Sequence, residues 1–188
     1  IEAKACAAED AGYHSVWFMD HLAPPAGRDL DCLEAWTVAS AVAARTERIR
    51  IGHLVLCNEF RHPALLAKMA ASLDVISGGR LELGLGWGSV EEELSDYGFG
   101  APTPSERASR LAETLEILEL LWSGDPVDFT GAHWTLQGAV CRPRPMSGRV
   151  PIHLGGMGRH LTLPLVERYA DWWNCPSYGM DQFDELRP

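Results

Sequence analysis

The sequence predicts an α/β domain built on a parallel sheet. Helical and strand patterns alternate along the chain, and the strand segments are apolar throughout instead of alternating between apolar and polar residues. Such continuous apolar strands are typical of parallel sheets that are covered by helices. An open doubly wound sheet and a (β/α)8 barrel both fit the pattern, and in both architectures ligands bind at the carboxyl ends of the strands.

Three helices and three strands are predicted in the first half of the chain. The first helix stops at Gly12, which suits a left-handed glycine cap. Asp31 and Glu34 form a capping-box pattern that opens the second helix, and Pro63 suits the first turn of the third, which ends at Gly78. The helices are predicted at residues 2–11, about 31–45 and 63–77, and the strands at 15–20, 49–56 and 81–86.

The second half of the chain begins with the strongest helix signal. Thr103 and Glu106 form a capping box with Pro104 between them, and apolar residues recur at helical spacing until Gly124. Gly131 then marks the centre of a hairpin. The remaining predicted elements are the hairpin at 127–136, an extended proline-rich connection at 142–151, and strands at 151–154 and 171–175 flanking a helix near 161–169.

The composition excludes several classes of function. Among 188 residues, 26 are acidic and 16 are Lys or Arg, and the net charge of −10 argues against a nucleic-acid or membrane partner. The apolar runs are far shorter than the roughly 20 residues needed to cross a bilayer. Five dispersed cysteines without a C-x-x-C pair predict reduced thiols, no metal site and a cytoplasmic protein.

Candidate site residues collect after the predicted strands. Asp20 and His21 follow the first strand, and an imidazole suits proton transfer to or from a substrate hydroxyl or carbonyl. The glutamates after the third strand form either a solvated acidic face or, against apolar walls, an acid or base. The glycine-rich run after the fourth strand suits a phosphate, although loops in general are polar and rich in glycine; it consists of Gly155, Gly156, Met157 and Gly158.

Together these segments resemble the luciferase-like monooxygenase family, the bacterial luciferase group of oxidoreductases that use FMN or the deazaflavin coenzyme F420. The match runs in order along nearly the whole chain, and the block LDVISGGRLELGLGWG after FRHPALLAK is specific. The matching stretches are AEDAGYHSVWFMDH (8–21), IRIGHLVLCNEFRHPALLAKMAASLDVISGGRLELGLGWG (49–88), EEELSDYGFG (91–100), PSERASRLAETLEILELLW (104–122), FTGAHWTL (129–136), and PIHLGGMGRHLTL with ERYADWWN (151–174).

The resemblance implies a (β/α)8 TIM barrel that is incomplete in this chain. A complete barrel has about 250 residues, and the family's first strand and last two strands are not represented. Residues 1–188 are therefore expected to form one partial barrel domain. Such a partial barrel has open sheet edges, which favour a homodimer or another homo-oligomer.

The resemblance also implies where the cofactor binds. It places a non-prolyl cis peptide at Leu54–Val55 against the cofactor ring, a phosphate cradle at the Gly155–Gly158 run, and Asn174 beside the cofactor at the end of the last strand. Two departures from the family pattern affect this end. Pro164 moves the predicted start of the helix to about Thr162, farther from the glycines, and Trp87 replaces a small residue and narrows the pocket.

In the F420 branch, the resemblance assigns catalysis to Asp20, His21 and Glu91, with Glu93 a close rival of Glu91. His21 takes a proton from an alcohol-type donor while a hydride moves between a small organic substrate and coenzyme F420. F420 is favoured over FMN, and an FMN-dependent monooxygenase of the same family is the alternative. Two further hypotheses remain: a non-catalytic flavin-binding relative and a truncated structural remnant.

Overall fold

A computed structural model describes residues 1–24, 27 and 29–186. Seven helices and eight strands are assigned within these residues. The helices are α1 (Glu2–Asp10), α2 (Ala35–Arg45), α3 (Pro63–Ser77), α4 (Glu91–Asp96), α5 (Pro104–Trp122), α6 (Leu163–Tyr169) and α7 (Phe183–Leu186). The strands are β1 (Ser15–Phe18), β2 (Arg50–His53), β3 (Leu56–Cys57), β4 (Leu81–Gly86), β5 (Val127–Thr130), β6 (Thr135–Ala139), β7 (Ile152–Gly155) and β8 (Trp172–Asn174).

The main sheet is parallel and follows the order of the chain. Its strands lie in the order β1-β2-β4-β7-β8, and β3 adds to the end of β4. The register pairs Val16 with Ile51 and Leu83 with Ile152. This is the sheet of a (β/α)8 barrel in part, which confirms the predicted fold class. Within the described residues, β1 and β8 are the outer strands, and the homo-oligomer inferred from these open edges stays a prediction.

The hydrophobic core lies between one face of this sheet and the helices. Side chains alternate along β4, and Leu81, Leu83 and Leu85 face the core, where all three are fully buried. Helices α2 and α3 pack against β2 and β4, and α5 packs against α3. The central strand β4 is thus buried along its whole length, as the apolar sequence predicted, whereas the outer strands β1 and β8 are only partly buried.

The opposite face of the sheet is lined by glycines and by a small polar cluster. A side chain at Gly52 would collide with the ring of Trp17, since an added Cβ would lie 2.3 Å from the indole. The Glu82 carboxylate accepts hydrogen bonds from Arg50 and from the His153 Nε2 atom, the latter at 2.8 Å. This cluster sits near the amino ends of the strands, away from the predicted ligand site.

The helix ends show which local signals were sufficient. The capping box at Thr103 and Glu106 is present, and Gly78 ends α3 with a φ of 71°. The capping box predicted at Asp31 is wrong. Glu34 itself caps α2, because its carboxylate accepts hydrogen bonds from the backbone N–H groups of the second and third helical residues.

Three other boundaries differ from the predictions. The predicted strand 49–56 is divided into β2 and β3 at the Leu54–Val55 peptide bond, which is cis as the resemblance implied. The hairpin runs to residue 139, and α4 was not predicted as a helix. Helix α6 begins at Leu163 with Pro164 in its first turn, which confirms the expected late start.

The described helices include none that is long and apolar enough to cross a bilayer. All five cysteines are free. The cytoplasmic location stays a prediction.

Candidate active site

A cavity of about 850 Å³ opens at the carboxyl ends of β1, β2, β4, β7 and β8. Its volume lies within the range usual for sites of small molecules and cofactors. It is lined by Met19, Asp20, His21, Leu54, Val55, Leu56, Cys57, Phe60, Gly86, Trp87, Gly88, Ser89, Val90, Glu93, Leu94, Gly155, Gly156, Met157, Gly158, Asn174, Cys175, Pro176 and Ser177. All the predicted site residues except Glu91 are among them.

Asp20 is held in a buried ion pair. Its carboxylate accepts two hydrogen bonds from the Arg61 guanidinium, at 2.6 and 2.9 Å, and a third from the backbone N–H of Cys57 at 2.9 Å. Arg61 also donates to Glu34, the cap of α2, at 2.6 Å. This geometry fixes the end of β1 to the end of β3 and to α2, so Asp20 positions its neighbour His21 and its own oxygens are already occupied.

The Glu34 carboxylate shares this network and stays ionised. Partial burial opposes ionisation, but hydrogen bonds from Thr37, Trp36 and Arg61 outweigh it and lower the pKa of Glu34 to about 2. The same two carboxylates, Asp20 and Glu34, outweigh burial at Arg61 and raise the pKa of its guanidinium. Glu34 and Arg61 therefore favour their charged forms in this network.

His21 is oriented by Glu93. The His21 Nδ1 atom lies 3.0 Å from one carboxylate oxygen of Glu93. The other oxygen accepts the backbone N–H groups of Leu22 and Ala23 at 2.5 and 3.1 Å. Because a carboxylate oxygen accepts hydrogen bonds, Nδ1 is the donor in this contact, and in a neutral imidazole Nε2 is then the acceptor nitrogen.

Glu91 does not take the position that was predicted for it. Its side chain is 71% exposed and forms an ion pair with Arg107 at 3.0 Å, whereas Glu93 is only 7% exposed and contacts His21. Residues two apart on a helix point in widely different directions, so α4 turns only one of the two carboxylates toward the cavity. The prediction of Glu91 is therefore wrong, and Glu93 is the carboxylate that lines the cavity.

The Leu54–Val55 segment forms an apolar wall of the cavity beside two glycines. An added Cβ at Gly86 would lie 2.8 Å from a methyl group of Val55, and one at Gly155 would lie 3.0 Å from the other. Real Cβ atoms essentially never approach as closely as 2.8 Å, so β4 needs glycine at position 86 to admit the Val55 side chain, whereas a Cβ at position 155 on β7 requires Val55 to shift. The result is an apolar surface on this side of the cavity.

The glycine run after β7 lies at the other end of the cavity. Gly156 has a φ of 126°, and its backbone N–H donates to the Asn174 carbonyl at 3.2 Å. The Thr162 hydroxyl lies behind the run and accepts a hydrogen bond from the Trp87 indole at 3.1 Å. Trp87 lines the cavity, as expected from the sequence. A phosphate at this run stays a prediction.

Cys57 contributes a neutral thiol to the cavity. Burial raises its pKa to about 12, and the nearby carboxylates of Asp20, Glu59 and Glu93 act in the same direction. Since the thiolate is the reactive form of cysteine, Cys57 lines the site and takes no part in its proton chemistry.

Comparison with known proteins identifies the family of this chain. The family model described as luciferase-like monooxygenase matches residues 1–183. The chain belongs to the luciferase-like monooxygenase family. Among curated relatives in this family, the F420-dependent glucose-6-phosphate dehydrogenase of Nocardia farcinica is 38% identical over 194 residues, which cover 98% of this chain and 55% of that protein.

Solved structures of two oxidoreductases share the fold. An F420-dependent secondary alcohol dehydrogenase, in complex with an F420-acetone adduct, matches with a TM-score of 0.83 and 28% identity, covering 93% of this chain and 52% of that one. A monooxygenase from Streptomyces bottropensis matches with a TM-score of 0.72 and 29% identity, over 82% of this chain and 46% of that one. The chain thus spans about half the length of the relatives it matches.

Two contributors to this luciferase-like site were missed from the sequence. Arg61 lies in the polar run after the second predicted strand, and a cation at the same sheet edge as Asp20 was a usable signal. Thr162 became visible only through its bond to Trp87, 75 residues away. Within the described residues, no group of three or more His, Cys, Asp or Glu side chains could hold a metal ion.

Proposed function

We propose that the protein is an F420-dependent oxidoreductase that transfers a hydride to or from a small organic substrate. The observation that carries the proposal is the His21–Glu93 contact at 3.0 Å, in a cavity that both residues line together with Leu54 and Val55. Curated relatives and a structural neighbour that use F420 support it.

The residues present fit the cofactor. Leu54 and Val55 offer an apolar surface for its ring system, while Gly155, Gly156 and Gly158 line the cavity with backbone at the end where its phosphate would lie. Coenzyme F420, when bound, supplies the hydride acceptor or donor. Asn174 lines the same end of the cavity.

His21 is the base in the direction of alcohol oxidation. Its Nε2 atom takes the hydroxyl proton of the donor as the hydride leaves the adjoining carbon. The imidazolium that forms is stabilised by the Glu93 carboxylate, whose two backbone hydrogen bonds keep it in place. Asp20 acts indirectly, because its hydrogen bonds to Arg61 fix the end of β1, which His21 follows.

Titration with F420 and with FMN tests the cofactor. We expect F420 to bind, and its binding can be measured by absorbance and fluorescence. The bound cofactor should lose its absorbance when a substrate is added. Preferential binding of FMN would favour the monooxygenase alternative instead, to which the Streptomyces neighbour points. Binding of F420 without any substrate-dependent change would mean a non-catalytic relative.

Replacement of His21 tests the base. His21→Ala should lower turnover by about 10²–10⁴-fold, the usual contribution of a general base, while F420 binding is retained. His14→Ala is the matched control, because His14 is an exposed histidine outside the cavity. Equal turnover in the His21 and His14 variants would contradict the role proposed for His21.

A further inference from the structure

The peptide unit between Leu22 and Ala23 is held at both ends by α4 and the residue that follows this helix. Its N–H group, on Ala23, donates a hydrogen bond to a carboxylate oxygen of Glu93 at 3.1 Å. Its carbonyl, on Leu22, accepts a hydrogen bond from the Tyr97 hydroxyl at 3.2 Å. A peptide unit is planar, so hydrogen bonds to its N–H and to its carbonyl together fix its rotation about the chain.

The preceding peptide unit, between His21 and Leu22, is held in the same way. Its N–H group, on Leu22, donates to the same Glu93 oxygen at 2.5 Å. Its carbonyl, on His21, accepts a hydrogen bond from the Cys32 thiol at 3.4 Å. His21 is thus followed by two peptide units whose orientation is set by side chains, and the backbone that carries the imidazole is fixed on this side.

Glu93 and Tyr97 belong to the same turn at the end of α4. The Tyr97 N–H donates to the Glu93 carbonyl at 3.2 Å, and residues four apart on a helix lie on one face. The buried Glu93 contacts the His21 Nδ1 atom as well as the backbone. Tyr97 is half-exposed, and its hydroxyl contacts the Leu22 carbonyl. The Tyr97 hydroxyl therefore acts on the imidazole through the main chain.

The segment around α4 is itself anchored to the wall of the cavity. Leu94 is buried, and its carbonyl accepts a hydrogen bond from the Phe99 N–H at 2.9 Å. The Phe99 ring contacts the ring of Phe60, which lines the cavity, with ring centres 5.0 Å apart. Because these contacts hold the segment in place, the hydrogen bond from Tyr97 gives the chain after His21 a fixed position.

We infer that Tyr97 is a positioning residue for His21. The inference rests on the proposed function, in which the His21 Nε2 atom takes the substrate proton. Proton transfer requires the base to lie within hydrogen-bond reach of the reacting hydroxyl, and a misplacement of about 1 Å can lower a rate by about 10²-fold. By holding the Leu22 carbonyl, the Tyr97 hydroxyl keeps the imidazole in the orientation that this transfer needs.

NMR of the isotope-labelled protein tests the inference without turnover. Tyr97→Phe removes the hydroxyl and keeps the ring. We expect the amide hydrogens of Leu22 and Ala23 to exchange about threefold to tenfold faster, the usual effect of one lost hydrogen bond, and the ring resonances of His21 to shift. Tyr13→Phe should change neither, because Tyr13 is exposed and precedes β1, at the end of the sheet opposite to the cavity. Unchanged amide exchange and unchanged His21 resonances in Tyr97→Phe would overturn the inference.

Kinetics of the F420-loaded protein separate positioning from a structural role. The trial donors are 2-propanol, glucose and glucose 6-phosphate. With a donor that is oxidised, Tyr97→Phe should lower kcat about threefold to tenfold and change KM and F420 binding by less than about twofold.

Three results are distinguishable from this expectation. An unchanged kcat would overturn the inference. A loss of F420 binding as large as the loss of kcat would mean a structural role and would overturn it as well. An unaltered protein without F420 binding would contradict the proposed function instead, and the NMR comparison would then decide whether Tyr97 holds the chain after His21.

Discussion

At one end of the cavity His21 stands among charged side chains, whereas at the other end Gly155, Gly156 and Gly158 leave the backbone itself as the wall. Each charged group at the first end is fixed by hydrogen bonds from elements far apart in sequence. At the second end, the shape of the wall depends on glycines, which have no side chain. The first end can therefore bind polar groups at defined atoms, and the second presents the main chain to the cavity.

Loss of Arg61 should be the most damaging change at the charged end. Arg61→Met leaves the buried Asp20 carboxylate without a countercharge, and we expect a loss of about 3–5 kcal/mol in the free energy of unfolding, measured in urea. Arg45→Met is the control, since Arg45 and Glu2 form an exposed pair at 3.9 Å that should contribute less than about 1 kcal/mol. Similar losses in the two variants would contradict the stabilising role of the Arg61–Asp20 ion pair.

Acid should weaken the charged end through His53, which lies beneath it. His53 is fully buried and stacks on Trp36 at 4.9 Å. Burial lowers its pKa to about 4, with Asp20 and Glu34 opposing the shift and Arg61 assisting it. His53 therefore binds its proton more tightly in the unfolded chain than in the folded protein. Its titration leaves the free energy of unfolding unchanged above about pH 6.5 and lowers it by about 3 kcal/mol as the pH drops to 4.

His53→Phe removes this proton site while keeping a ring against Trp36. The pH dependence of unfolding between pH 6.5 and 4 should be shallower in the variant than in the unaltered protein. His14→Phe, at an exposed position, should leave the dependence as it was. A variant with an unchanged slope would show that His53 is not the group responsible.

The glycine end should respond to volume instead of charge. Gly86→Ala forces a Cβ to within 2.8 Å of a Val55 methyl group, and we expect a loss of about 1–3 kcal/mol in unfolding free energy. Val55→Ala removes the obstacle, so the double variant should lose about 1 kcal/mol less than the sum of the single variants. Strict additivity in this cycle would mean that the two side chains do not compete for the same space.

Local signals were enough for most of the fold. The capping box at Thr103 and the glycine after α3 depend on residues only a few positions apart, and both are where the sequence predicted them. The barrel itself followed from the family resemblance, since alternation of apolar segments fits two architectures. The capping box at Asp31 failed because Glu34, which is also held by Arg61, caps the helix in its place.

The candidate site was predicted as a set of segments and not as a set of contacts. The sequence placed Asp20, His21 and the glycine run at one edge of the sheet, and the cavity gathers them. Choosing Glu93 over Glu91 requires the rotation of α4 about its axis, which depends on tertiary packing. The Arg61–Asp20 ion pair joins residues 41 apart, a distance over which no local pattern applies.

The hydrogen bond from Trp87 to Thr162 joins the loop after β4 to the segment before α6. The first of these leads directly into α4 and Glu93, and the second follows the glycine run. Because a 3.1 Å bond connects them, the two segments cannot separate without breaking it. One indole side chain thus links the segment that leads to Glu93 with the segment that follows the glycines, so a change at Trp87 reaches both ends of the cavity.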